Sequence, residues 1–170
     1  MFELNDVLVY GTSGVCKISD IRKERFASAK AETYYILSPI FGAQSTLYVP
    51  KANTALVGRL RPVMLKDDLS SMLNRAKLSN VKWNNDDRTR DEEFRSIVSN
   101  GLSTDLLMMI KNILLHRNEL RVKIKKLHAA DERVLALSEK IAGEEFAYAY
   151  GIDVPDAVTL LENELTVKEN

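Results

Sequence analysis

The sequence predicts an α+β chain of two domains, a small SH3- or Tudor-like β barrel followed by an all-α helical bundle. Up to Arg61-Pro62 the apolar residues come in short β-branched and aromatic runs punctuated by Gly and Pro, at 7–10, 33–37 and 46–49, which is the signature of strands. Beyond that point they recur every three or four residues, as at Leu106, Ile110, Ile113, Leu120, Ile124 and Leu127, which is the period of helices. A β module of about sixty residues buries little core, so strands that close on themselves are expected in preference to an open sheet. The boundary falls near residue 64, giving domains 1–64 and 65–170, and this division suggests separate partners rather than one catalytic pocket.

Each element has its own local reason. Residues 7–10 form a first strand, and Gly11 and Gly14 supply the positive φ angles of the turn that reverses it into a second strand over 15–21. Residues 22–32 are charged, with Ala and Ser, and read as a solvated hairpin tip. Strands over 33–37 and 45–49 flank a turn at Phe41-Gly42, and a fifth over 57–60 ends at Pro62. Five short strands at this spacing fit the small barrel.

In the second half, Leu65, Leu69, Met72, Leu73 and Ala76 mark a helix over 65–78, with Asp67 and Asp68 where its dipole favours them. After a polar break, Thr89 and Glu92 form a capping box for a helix of about twelve residues stopped by Gly101. Ser103 caps a long helix reaching about residue 127, and another runs over 131–150 to Gly151. Asp153 as cap with Pro155 in the first turn opens a last helix to Leu165, and the chain should fray from Lys168.

Composition excludes several functions. The formal net charge is zero, but residues 1–66 carry nine Lys/Arg against five Asp/Glu, and residues 67–170 fifteen against nineteen. Strong free-standing DNA binding is not expected from such a balance, because clustered cations supply most of that affinity. Cys16 is the only cysteine; it lies in a predicted strand and reads as a small core residue, with no internal disulfide open to it. No charged and then apolar leader opens the sequence, and no stretch approaches the ~20 apolar residues that span a bilayer. The expected location is the cytoplasm.

Motifs for catalysis are missing. His116 and His128 have no second ligand at metal spacing, no phosphate-binding glycine loop or nucleophile elbow occurs, and the acidic pairs are adjacent residues that diverge on a helix. Neither a cofactor nor a small-molecule substrate is implied. Two features remain. Trp83, the only tryptophan, sits in a polar stretch just before a capped helix; it either packs back on the helical core or presents an indole to a nucleic-acid base. Arg121, Lys123, Lys125 and Lys126 form a basic run, with Arg121 and Lys125 on one helix face and Ile124 and Leu127 turned inward; this is either a solvated face or a phosphate contact.

Read in order, Phe2, Asp6, Val9-Tyr10 and Gly14-Val15, then 34–37, Val49-Pro50 with Asn53, and Val57-Gly58 with Leu60-Arg61-Pro62-Val63 resemble the CarD/CdnL family of bacterial RNA-polymerase-binding regulators. A looser likeness continues through Trp83, Glu132-Arg133, and Glu145 ahead of Ala147, Ala149 and Gly151. The resemblance implies a Tudor-like domain that docks on the polymerase β subunit and a helical domain that touches promoter DNA at the upstream edge of the transcription bubble. It implies stabilisation of the open complex without catalysis, and a wedge role for Trp83.

Carried onto this sequence, the DNA contacts are Trp83, Lys82, Arg88 and Arg90, with Arg121, Lys125 and Lys126 second. Arg22, Arg25 and Tyr48 are carried over by position as polymerase contacts. Gly11 and Ser13 replace the family's frequent Pro and His. Asn84-Asn85-Asp86-Asp87 stands where the family is usually basic, which sets two carboxylates near DNA phosphates, and Glu24-Arg25 and Tyr48 stand where basic residues are frequent. A second reading keeps the polymerase-binding barrel but has the helical half hold another protein.

Overall fold

Val7–Tyr10 forms β1, and Gly11–Ser13 makes one 3-10 turn before Gly14, with φ of +50° at Gly11 and +84° at Gly14. The reversal pairs β1 antiparallel with β2, Val15–Glu24, which pairs in turn with β3, Glu32–Pro39. In this computed structural model, which describes residues 1–27, 30–42 and 44–167, the sheet order is β4-β3-β2-β1-β5, with β4 at Leu47–Pro50 and β5 at Leu60–Pro62. The chain divides into two compact units, Met1–Val63 and Met64–Asn170.

In the β unit, one cluster collects Leu8, Cys16, Ile18, Tyr35, Leu37, Val49 and Leu60, so residues of both outermost strands share a core with the central ones. The expected barrel is thus closed by side chains: among the described residues no backbone ladder joins β4 to β5. Cys16 is wholly buried there. The irregularity between Ile18 and Asp20 shifts the β2 register, and such bulges add the twist that lets a short sheet curl over its core.

Two sequence expectations need correction here. The second and third strands run further than expected, with Arg22 opposite Tyr34 and Glu24 opposite Glu32, because alternation with a β-branched and aromatic partner strand outweighs local charge. The fifth strand is displaced. Residues Thr54–Val57 form a short helix, α1, since Asn53 Oδ1 accepts the Leu56 N–H at 3.1 Å and acts as its N-cap, and the strand starts only at Leu60.

The helical unit consists of α2 (Lys66–Leu78), α3 (Asp87–Ser99), α4 (Thr104–Val122), α5 (Ala129–Tyr150) and α6 (Val154–Thr166). α4 touches the other four and buries Leu106, Leu107, Met109, Ile110, Ile113 and Leu114, so it is apolar around most of its girth, as a central helix must be. Ser103 caps it through a bond from the Leu106 N–H. α5 and α6 approach closely at Gly143, where an added Cβ would stand 2.8 Å from Val158 Cγ2. Gly151, at φ +66°, ends α5, and Asp153 caps α6.

The cap of α3 is Asp86 rather than Thr89: its Oδ1 accepts the Thr89 N–H at 2.7 Å. The carboxylate is the stronger acceptor for exposed helix N–H groups, so the helix starts three residues earlier than the capping-box reading gives. α4 stops at Val122, short of the expected residue 127. Ile124 turns out to solvent and Lys125 and Lys126 follow the helix, so the expected shared helical face of Arg121 and Lys125 does not exist. Leu127 is buried, as expected. The fraying expected from Lys168 lies outside the described residues.

Candidate functional site

The residues between α2 and α3 form a linker that is fastened at each end. Lys111 of α4 donates from Nζ to the carbonyls of Lys77 and Ser79, the latter at 2.8 Å. These are carbonyls at the end of α2 that its own helix leaves without donors. One residue along α4, Asn112 Nδ2 donates to the Lys82 carbonyl at 3.2 Å. At the far end Arg90 Nη1 donates to the Asn84 carbonyl at 2.8 Å, and Asn84 Oδ1 accepts the Asp86 N–H at 3.0 Å. Trp83 is held between these anchors.

Its indole is half-buried. It lies 3.8 Å from the His116 ring at an interplanar angle of 9°, which is a parallel stack, and meets Phe94 edge-on at 6.2 Å. The Arg90 guanidinium lies 4.6 Å from the indole centroid, within cation–π range. The ring therefore leans on the helical core and keeps exposed surface. Burial pushes the His116 imidazole below its ordinary pKa, with Arg90 acting in the same direction and Glu119 against it. Near neutral pH the stack is one of two neutral rings.

Arg90 corrects the expectation that it contacts DNA. Its side chain is 6% exposed, and its Nε and Nη2 fork onto the two oxygens of Asp131 at 3.1 and 2.9 Å. Nη2 also reaches Asp87 Oδ1 at 2.8 Å. Burial opposes the charge, but Asp131 and Asp87 outweigh it and hold the pKa above the ordinary arginine value. With its donors spent inside the protein, Arg90 acts as a positioning residue for Trp83. The two carboxylates that crowd the tryptophan in sequence are likewise engaged, Asp87 on Arg90 and Asp86 on the start of α3, where the Thr89 bonds lower its pKa.

Of the other expected DNA residues, Lys82 is exposed next to the indole, and Arg88 is exposed and paired with Glu92 at 3.2 Å. Arg121, Lys125 and Lys126 line a groove with Arg117, Glu132 and Arg133. Lys126 also lines the concavity of Trp83, His116 and His128. Sequence reasoning missed His116 as the stacking partner, having weighed it only as a metal ligand, and missed Arg133, which reaches the groove from α5. A signal for the first exists: His116 stands four residues after Asn112, one turn along the same face of α4. Among the described residues no three His, Cys, Asp or Glu side chains assemble as a metal would need, and no helix is long and apolar enough to cross a membrane.

In the β unit, opposed residues of antiparallel strands share a face, so the register places Arg22, Tyr34 and Tyr48 on one side of the sheet. Arg22 is gripped by Glu24 and Asp20 at 2.6 and 2.9 Å, and these bonds raise its pKa. Tyr48, 39% exposed, meets Phe26 edge-on at 5.1 Å, and Phe26 meets Tyr34 at 5.3 Å. Arg25 is exposed beside Phe26. The side thus carries a partly exposed aromatic cluster beside a braced arginine, and Phe26 and Tyr34 were not among the polymerase contacts expected from sequence.

Residues 2–64 match the family model of the CarD-like/TRCF RID domain. The N-terminal unit is a CarD-like/TRCF RID domain. The RID domain is the RNA-polymerase-interacting domain of CarD-like proteins, a binding rather than a catalytic family, and its partner is the polymerase β subunit. The match assigns the N-terminal unit to this RNA-polymerase-interacting domain family. No curated protein matches the chain. The RID match ends where the helical unit begins, so the surroundings of Trp83 are interpreted from their geometry.

Proposed function

We propose that this chain regulates transcription initiation: residues 1–64 dock on the RNA polymerase β subunit, and residues 65–170 bring Trp83 to the upstream edge of the promoter bubble and stabilise the open complex. The observation that carries this reading is an indole braced from within by His116 and Arg90 while part of it stays exposed beside Lys82. A braced aromatic loses little freedom when it wedges against a base step, and insertion is compensated only where the duplex is already weakened. Binding that favours unwound over closed promoter shifts that equilibrium by the difference in affinity. Lys82, Arg88, Arg121, Lys125 and Lys126 supply phosphate contacts. Arg22, Arg25 and Tyr48 serve docking. Tethering to polymerase raises the local concentration of DNA, so weak contacts suffice.

The test is the lifetime of polymerase–promoter open complexes with the wild-type chain and with Trp83→Ala. Stacking is worth about 1–3 kcal/mol per base, so the variant should shorten the lifetime roughly tenfold. Equal lifetimes favour the adaptor reading, in which the helical half holds another protein. A groove between α3 and α4 lined by Val81, Ile97 and Met108 is the observation in that reading's favour.

A further inference from the structure

α4 ends in a stop that asks for glycine and holds isoleucine. The Lys125 N–H donates to the Leu120 carbonyl at 2.8 Å, and the Ile124 N–H to the Arg121 carbonyl at 3.0 Å. These are the paired bonds of a left-handed helix terminus. Ile124 occupies its left-handed position at φ +56°. Glycine takes that conformation freely, whereas a β-branched side chain there is strained. The same unit follows the usual rule elsewhere, with Gly101 at φ +72° after α3 and Gly151 at φ +66° after α5.

Packing does not recover the strain. Ile124 is 96% exposed and Val122 86% exposed. Flanking these two aliphatic side chains in sequence are Arg121, Lys123, Lys125 and Lys126, all exposed, and residues 121–128 contain no carboxylate. Strain that nothing inside the fold repays points to a use outside it. The run of cations specifies a polyanion, and the aliphatic side chains specify an apolar crevice between its charges. A disturbed base step flanked by phosphates has that chemistry, and apolar side chains enter such steps. Lys126, two residues after Ile124, lines both the groove it shares with Arg121, Lys125, Arg133 and Glu132 and the concavity at Trp83, so the segment that carries Ile124 runs on to the surroundings of the indole.

We infer that Ile124, backed by Val122, is a second apolar wedge that enters the same promoter DNA as Trp83, with Lys123 and Lys125 on the adjacent phosphates. The inference rests on the DNA reading of Trp83. Its test uses the full chain with polymerase and a promoter fragment, and compares Ile124→Gly and Ile124→Asn with wild type and Trp83→Ala. Both residue 124 variants relieve the strain, so Tm should hold or rise while open-complex lifetime falls roughly fivefold, about 1 kcal/mol at 1.4 kcal/mol per tenfold.

Unchanged lifetimes in both variants, alongside a shortened one for Trp83→Ala, overturn the second wedge and leave the Trp83 reading standing. If Trp83→Ala is also silent, that reading has failed, and affinity for an isolated bubble-containing duplex then decides: a loss in Ile124→Gly supports the wedge and no change refutes it. Capture of the wild type, but not Ile124→Gly, by phosphatidylserine vesicles with DNA affinity unaltered overturns it in favour of a membrane surface.

Discussion

Arg90→Met removes the group on which both Asp131 and Trp83 depend. Methionine roughly fills the volume but leaves the Asp131 carboxylate, 6% exposed like its partner, without its counter-charge. Stranding one member of a buried pair costs about 3–5 kcal/mol. Asp131 lies in the first turn of α5, where the helix dipole returns about 0.3–1 kcal/mol, and water admitted by the smaller head group returns more. The expected loss is about 2–4 kcal/mol. With a urea m-value near 2 kcal/mol/M this lowers the midpoint by roughly 1–2 M. Trp83 is the only tryptophan, so its emission reports the linker directly and should shift red, with greater acrylamide quenching, in the folded variant. Adding Asp131→Leu removes the stranded charge and should restore part of the midpoint, a non-additivity that independent sites do not show. A midpoint lowered by under about 0.5 M would refute the buried-pair reasoning. Lost stability with unchanged emission would show that Arg90 joins α3 to α5 without bracing the indole.

Two further outcomes follow from the helical core. Burial, reinforced by the neighbouring Glu162 carboxylate, pushes Glu139 up to about 7 from its ordinary 4.5, with Arg117 opposing. Its Oε1 is buried without a donor, which favours the neutral, protonated carboxyl. The folded state therefore binds the extra proton, and this stabilisation is full below about pH 4.5 and lost as pH rises through about 7. The shift corresponds to about 3 kcal/mol before discounting for partial exposure and on the order of 1–2 after it. Glu139→Gln should gain that much on wild type between pH 5 and pH 8 in urea titrations, and parallel curves would disprove it. At Gly143, alanine brings its Cβ to 2.8 Å from Val158 Cγ2, and overpacking of about 1–3 kcal/mol should exceed the roughly 1 kcal/mol that alanine gains in a helix. Calorimetry should find Gly143→Ala less stable, and Val158→Ala should relieve it; a more stable single variant would mean that α6 simply shifts.

The elements legible in the sequence were those whose causes are local. The glycines of the first turn, Ser103 and Asp153 as caps, and the apolar spacing of α2 each depend on neighbours within a few residues. The strand ladder past Ile21 was not legible, because its pairing comes from a strand eight or more residues away. α1 was readable in principle: Asn53-Thr54 is a cap and first turn, but the following Val57 drew the reading toward a strand. The site shows the same division. Trp83 stood out as an aromatic in polar company, whereas its support comes from Lys111, Asn112 and His116 on α4 and Asp131 on α5. Arg90 looked available for phosphate because sequence shows a charge without showing its partner.

That difference between charge in the sequence and charge at the surface bears on how a neutral chain would meet DNA under the proposed function. Lys111 is spent on carbonyls, Arg90 on Asp131, Arg117 on Glu162 at 2.9 Å, and Lys140 on Glu144 at 2.9 Å. Among the described residues Arg121, Lys123, Lys125 and Lys126 make no ion pair. Four unspent cations of the helical unit thus fall within six residues, in the same stretch as the two most exposed aliphatic side chains of the α4 end, and one of them, Lys126, lines the concavity of the braced indole. A few phosphate contacts at one place add little to affinity for duplex in general. On the proposed DNA reading, such contacts set around apolar groups that can enter only a loosened step would favour the opened segment over its neighbours, and that preference, more than binding strength, is what a polymerase-tethered factor needs in order to bias melting.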